Sequence, residues 1–212
     1  MNPLKGLEGI IFESSDILSA PPSLFLDERL NEREFKEKYP PIFKEYFGYD
    51  LITCEETYVF RDINNKRFIY CAGDYGIFCF PECNTSRRIV AEIDLMFIPK
   101  PETEQPIIIV EHKEGAKKLY DKIGRQLLRY ILLVSNITGR SVIGYIYLGG
   151  IGETIKMAAS VNKGNDYYII FFDDSPIRYS KIIKMEKEDI QNILSYNRKK
   201  AEFTIKGYLD SS

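Results

Sequence analysis

The feature that most constrains this fold is a pair of apolar runs that carry acids. Glu92-Ile93-Asp94-Leu95-Met96-Phe97-Ile98 and Ile107-Ile108-Ile109-Val110-Glu111-His112-Lys113 flank a polar stretch bounded by Pro99 and Pro106. Proline has no donor N–H and punctuates strands, so the stretch reads as a loop and the runs as an antiparallel hairpin. If Ile98 and Ile107 close the loop, Asp94 lies opposite Glu111 and Glu92 opposite Lys113. Directly opposed side chains have Cβ atoms roughly 4.5–5.5 Å apart. Alternation then puts Glu92 and Asp94 on one face with Glu111 and Lys113, and His112 on the other. A slip of one residue separates the acids; a slip of two does not.

Two carboxylates held that close repel each other, and a hard divalent cation resolves the conflict. Mg2+ suits a site with one or two carboxylates plus water and phosphate oxygens. Such a metal turns water into a nucleophile and polarises a phosphoryl oxygen, and a lysine beside it can stabilise developing charge. Asp, Glu and Lys at this spacing therefore point to metal-assisted phosphodiester cleavage. The competing reading is a solvated strand face. Glu-x-Lys alone decides nothing, since Glu34-Phe35-Lys36 repeats it in a charged, helical run.

Composition narrows the partners. The 212-residue chain has a formal charge of −2, so a nucleic acid would have to be held by a local patch. Segment 113–129 offers Lys113, Lys117, Lys118, Lys122, Arg125 and Arg129 against Glu114 and Asp121; the alternative is a solvated helix face. No apolar run approaches the roughly 20 residues needed to span a bilayer, and the N-terminus lacks a signal-peptide pattern. The expectation is an intracellular protein with no membrane partner. The single histidine, His112, excludes multi-histidine metal sites and histidine-based triads. Its side chain is expected to pack or hydrogen-bond locally, while its carbonyl stays within reach of a metal. Walker-type, GxGxxG and CxxC patterns are missing. Gly149-Gly150-Ile151-Gly152 reads as a turn. Cysteines 54, 71, 79 and 83 lack zinc spacing and read as buried free thiols.

Along the chain, 24–47 reads as helix in two pieces split at Pro40-Pro41. Segments 57–60, 66–72 and 76–80 read as short strands. Gly115 to Val134 is a helix with a buried stripe of Leu119, Ile123, Leu127, Tyr130 and Val134. Gln126 lies at the edge of that stripe and must find polar partners. Residues 141–148 read as a central strand covered on both faces. Residues 154–161 and 167–172 read as a hairpin, with helix as the competing reading of 153–161. Residues 186–199 read as a helix with Ile190, Ile193 and Leu194 inward, and the last dozen as an arm or frayed end. The whole is expected to be one domain: a core at about 57–150, a helical N-terminal segment 1–50, and C-terminal strands and helix in 151–212.

The trio Asp94, Glu111 and Lys113, with the helix after it, resembles the PD-(D/E)XK nuclease superfamily. Ile93 stands where that motif usually has proline. Gln126-Leu127-Leu128-Arg129-Tyr130 is similar to the QxxxY helix motif of RecB-like members, and Glu92-Ile93-Asp94-Leu95 to the wording of archaeal Holliday-junction resolvases. The likeness covers roughly 88–150. Chain length and Tyr-, Ile- and Lys-rich character also look like a virus-encoded protein of hyperthermophilic archaea, a source in which a disulfide is the alternative to free thiols.

The resemblance implies an α/β, restriction-endonuclease-like mixed sheet flanked by helices, with N- and C-terminal additions. It implies a DNA nuclease using Mg2+ or Mn2+, bound by Asp94, Glu111 and the carbonyl of His112. Lys113 would assist the nucleophile, and Gln126 and Tyr130 would orient the site or DNA. Glu13, Glu28, Glu32 and Glu34 are candidates for a further acid, and Glu92 for a partner of Lys113. A resolvase requires a homodimer. A RecB-like exonuclease requires a channel for one strand. A DNA-binding protein that no longer cuts is the third reading.

Overall fold

In the computed structural model, the β-strand Leu95–Pro99 pairs antiparallel with Ile107–Lys113, placing Leu95 opposite Val110 and Phe97 opposite Ile108. That is the register in which Ile98 and Ile107 close the loop. The described residues are 23–26, 28–47, 50–74, 76–81, 88–100, 103, 105–115, 124–163, 165–172, 179–195 and parts of 199–206. In chain order the elements are β1 (Ser23–Phe25), α1 (Glu32–Phe47), β2 (Leu51–Arg61), β3 (Arg67–Gly73), β4 (Gly76–Phe80), β5 (Arg88–Ile93), β6 (Leu95–Pro99) and β7 (Ile107–Lys113). They continue with α2 (Gly124–Thr138), β8 (Val142–Leu148), β9 (Glu153–Lys163), β10 (Asp166–Phe172), β11 (Tyr179–Met185) and α3 (Lys187–Leu194).

These strands make one mixed, mostly antiparallel sheet in the order β11-β10-β9-β8-β7-β6-β2-β3-β4, with β1 on β9 and β5 on β2. The parallel pair is β7–β8, joined across α2. Every residue of β8 is buried, as expected of an apolar strand covered on both faces. At Gly144 a Cβ would stand 2.7 Å from Ile131 Cδ1, so the missing side chain lets α2 settle on β8.

The sheet separates two cores. Ile107 and Ile109 of β7 point to α2 and α3, among Leu127, Ile131 and Ile190. Ile108 and Val110 point to α1, among Phe35, Tyr39 and Phe43. In α2, Leu127, Tyr130 and Val134 are buried as the stripe requires; Leu119 and Ile123 lie outside the described residues. The helix runs beyond Val134 to Thr138 and stops at Gly139, whose φ of 71° terminates it.

Several expectations need correction. The helix expected from 24 begins only at Glu32, with Ser23–Phe25 forming a strand, and α1 runs unbroken through Pro40 and Pro41. Proline inside a helix costs about 3 kcal/mol. Phe35, Tyr39 and Phe43, one turn apart and fully buried, offset it at roughly 1.5–3 kcal/mol each. An Asn31–Glu34 capping box starts the helix: Glu34 N–H donates to Asn31 Oδ1 at 3.0 Å and Asn31 N–H to Glu34 Oε2 at 3.1 Å. β2 extends well upstream of 57–60, and β11 adds a strand the sequence did not announce; the expected hairpin of 154–161 with 167–172 is present as β9 and β10. α3 ends at Leu194, short of the expected 199.

The thiols are not free. Cys54 and Cys71 form a buried disulfide with Cα atoms 5.4 Å apart, and Cys79 is disulfide-bonded as well. An irregularity between Cys54 and Glu56 brings Cys54 diagonally opposite Cys71. That juxtaposition depends on pairing between strands, which cysteine spacing does not show.

Candidate functional site

Asp94 lies at the break between β5 and β6. Ala91 and Ile93 belong to the core under α2, whereas Leu95 belongs to the core under α1, so the alternation of side chains shifts at this residue. The cause is local. Asp94 Oδ2 accepts the backbone N–H of His112 at 2.8 Å, and Asp94 N–H donates to Glu111 Oε1 at 3.2 Å. Side-chain bonds replace the ladder here, and the preceding residues leave β7 while keeping β2 as their neighbour.

Glu92 is therefore not opposite Lys113. It pairs with Tyr58 of β2 and lines a cavity with Lys36, Glu55 and Glu56. The expected Glu92–Lys113 contact is replaced by a bond from Lys113 Nζ to Glu111 Oε2 at 3.4 Å.

Glu111 is 2% exposed, on the α2 face of β7. Burial, reinforced by the nearby charge of Asp94 and only partly offset by Lys113, pushes its carboxyl up to about 8. At neutral pH an acid so placed is mostly protonated, so the Lys113 contact is mainly a hydrogen bond rather than an ion pair. This is the electrostatic conflict that a divalent cation relieves.

His112 projects to the opposite face. Its Nε2 lies 3.0 Å from the carbonyl of Leu30, and its ring packs against Phe35 and Tyr147. Gly149 makes room: a Cβ there would lie 2.6 Å from His112 Nε2. The backbone of His112 is another matter. In an extended strand a residue's N–H and C=O project to the same side. Because its N–H meets Asp94, its carbonyl also lies on the Asp94 side, beyond the last β6–β7 pair.

Across this site lies the first half of α2. Gln126 Nε2 donates to Tyr130 Oη at 2.9 Å. Tyr130 also engages the backbone of Glu92, and its hydroxyl is raised by burial and then, more weakly, by the charges of Glu111 and Asp94. The partner that Gln126 requires is thus Tyr130, one turn on, and together they tie α2 to β5 beside the acids.

The structure does not bring every candidate here. Lys117, Lys118, Lys122 and Glu13 lie outside the described residues, and Arg125 is placed only as a position in α2. Arg129 is half-buried on α2. Glu28 and Glu32 pair on the surface with Lys38 and Lys36, and Glu34 closes the α1 capping box. These acids belong to α1 and its approach, packed on the sheet face opposite Glu111.

Among the described residues, no three His, Cys, Asp or Glu side chains group to hold a metal. Asp94 and Glu111, supplemented by the His112 carbonyl, form the sparser ligand set that Mg2+ accepts when water and phosphate complete its shell. The buried Glu111 carboxyl and the half-buried Asp94 beside it, which repel each other, fit such an ion. No described helix is long and apolar enough to cross a membrane. No protein-family model, curated protein or solved structure matches this chain.

Proposed function

We propose that this protein is a DNA nuclease dependent on Mg2+ or Mn2+, on a restriction-endonuclease-like sheet. The observation that carries the reading is Glu111, a buried carboxyl held against Asp94 and within 3.4 Å of Lys113. A carboxyl raised by burial and a like charge is a functional-site signature when it sits beside a cation and an open strand end. The β7–α2–β8 unit, with antiparallel strands before it, supports the fold assignment.

Asp94 and Glu111 would hold the metal, with the His112 carbonyl beside them. The ion, when bound, supplies Lewis acidity and an activated water. Lys113 stands where it can orient the attacking water or meet charge on a phosphoryl oxygen. The Asp94–His112 amide bond fixes the carboxylate before any ligand arrives. Tyr130 and Gln126 hold α2 across the acids and orient the site from that side.

Incubating the protein with Mg2+ or Mn2+ and labelled four-way junction, flap, duplex and single strand tests this. Cutting should require metal and disappear in Asp94→Ala and Lys113→Ala. Mn2+ binding, by calorimetry, should persist in Lys113→Ala and vanish in Asp94→Ala; unchanged binding in Asp94→Ala would remove the metal site. Junction cleavage by a homodimer would make the enzyme a resolvase, and end-dependent cutting by a monomer a RecB-like exonuclease. DNA binding with no cutting would leave a non-cleaving DNA-binding protein.

A further inference from the structure

Four residues line up across the end of the sheet that carries the acids. Lys113 of β7 is in register with Leu148 of β8, Leu148 with Glu153 of β9, and Glu153 with Phe25 of β1. All four project to the face of Glu111. Lys113 follows Glu111 by two positions, Leu148 belongs to the core under α2 and α3, and Ile155, two residues beyond Glu153, packs against that core. Leu24 and Leu26, on either side of Phe25, belong to the other core. Phe25 is therefore three strand spacings from Lys113 along one row, or ~14 Å.

Phe25 breaks the pattern of its strand. It is 67% exposed, between two buried leucines. A solvated position of that kind calls for a polar side chain. Ile151, in the turn that joins β8 to β9, is 46% exposed as well. Leu26 N–H donates to the carbonyl of Gly152 at 2.8 Å, which fastens β1 to the same turn. A lone exposed apolar residue is ordinary. Two at one corner, one of them on the row and face of the site lysine, make an apolar ledge beside the site.

Glu153 narrows what the ledge can hold. Directly opposed side chains have Cβ atoms roughly 4.5–5.5 Å apart, so this half-buried acid stands beside the Phe25 ring. A carboxylate there repels a backbone phosphate. It accepts a hydrogen bond from the exocyclic amine of a base, as acidic side chains do from cytosine. The face of an aromatic ring is a stacking surface for any base. Ring and carboxylate together therefore fit a nucleobase rather than the chain that carries it.

We propose that Phe25 and Glu153 form a subsite for one base of a single-stranded nucleic acid whose scissile phosphate lies at Asp94, Glu111 and Lys113. Phe25 stacks on the base, and Glu153 accepts its amino N–H. The destination of the strand rests on the nuclease reading; the base contact is tested without it. The substrate is then unpaired about four nucleotides from the cut, at ~3.4 Å of rise each. Cytosine, which presents that amine, is favoured over thymine, which lacks it.

The test is fluorescence anisotropy of the full chain, in EDTA, with labelled oligo-dC, oligo-dT and an abasic strand of equal length. Phe25→Ala should weaken oligo-dC binding about tenfold and leave the abasic strand unchanged. Phe25→Tyr, which keeps a ring at the same exposed position, should restore the parent affinity. The parent should prefer oligo-dC to oligo-dT about tenfold, and Glu153→Gln should remove most of that preference. Unchanged oligo-dC affinity in Phe25→Ala, an equal loss on the abasic strand, or no preference between the two bases would overturn the subsite. Base-dependent binding without metal-dependent cutting sinks only the nuclease reading. Cutting by a protein whose binding ignores Phe25 sinks only the subsite.

Discussion

Glu111 and His112 are neighbours in β7, both buried and both polar, yet they sit in opposite situations. His112 faces α1, where the Leu30 carbonyl, Phe35 and Tyr147 give it a bond and an aromatic cage. Glu111 faces α2, where burial and then the charge of Asp94 raise its carboxyl and Lys113 only partly relieves it. One buried polar group is satisfied and holds the fold together. Its neighbour is left in electrostatic conflict, and a protein tolerates that where a ligand is to resolve it.

The sharpest way to break this contrast is Glu111→Gln. DNA cutting should fall by about 10³-fold or more, measured as initial rate at saturating Mn2+. The metal-free variant should melt no lower than the parent, because a charge-free amide replaces a strained acid. A large loss of stability would instead place Glu111 with His112 as a structural residue.

His112→Ala should do the reverse. It removes the bond to Leu30 and opens a hole beside Phe35, costing about 2–4 kcal/mol in urea unfolding. Cutting by the folded fraction should survive, since the alanine retains the backbone N–H and carbonyl on the Asp94 side.

A third outcome concerns pH. Glu111 moves from an ordinary 4.5 to about 8 in the folded chain. Between those values the native state binds more protons than the unfolded one, so stability should decline as pH rises and flatten above about 8. Denaturant midpoints from pH 4 to 9 should show this slope in the parent and lose it in Glu111→Gln. Mn2+ added near pH 7 should release a proton, visible as a buffer-dependent heat. The smallest effect belongs to Tyr130→Phe, which should slow cutting several-fold while changing stability by about 1 kcal/mol.

Much of the hairpin was legible because alternation and proline placement are local. The Ile98–Ile107 closure, the face taken by His112, the fully covered β8 and the inward residues of α3 all follow from spacing within one element. What escaped reading depends on distant partners. The shift at Asp94 arises because a carboxylate replaces a strand carbonyl for the His112 amide, and Glu92 then pairs with β2. The Cys54–Cys71 bond needs the β2–β3 register. Pro40 and Pro41 mislead because intrinsic helix propensity yields to the burial of Tyr39 and Phe43.

The disulfide sits at a telling place. Cys54 is opposite Met96 of β6, while Thr57 is opposite Ile93 of β5, so β2 changes neighbours across from Asp94. A sheet is weakest at such a seam, where one strand hands over to another. The covalent tie to β3 rivets the seam from behind, so the two acids occupy a stiff corner rather than a hinge. Their separation is then set by the frame of the sheet, and a ligand that arrives meets a gap already of fixed width.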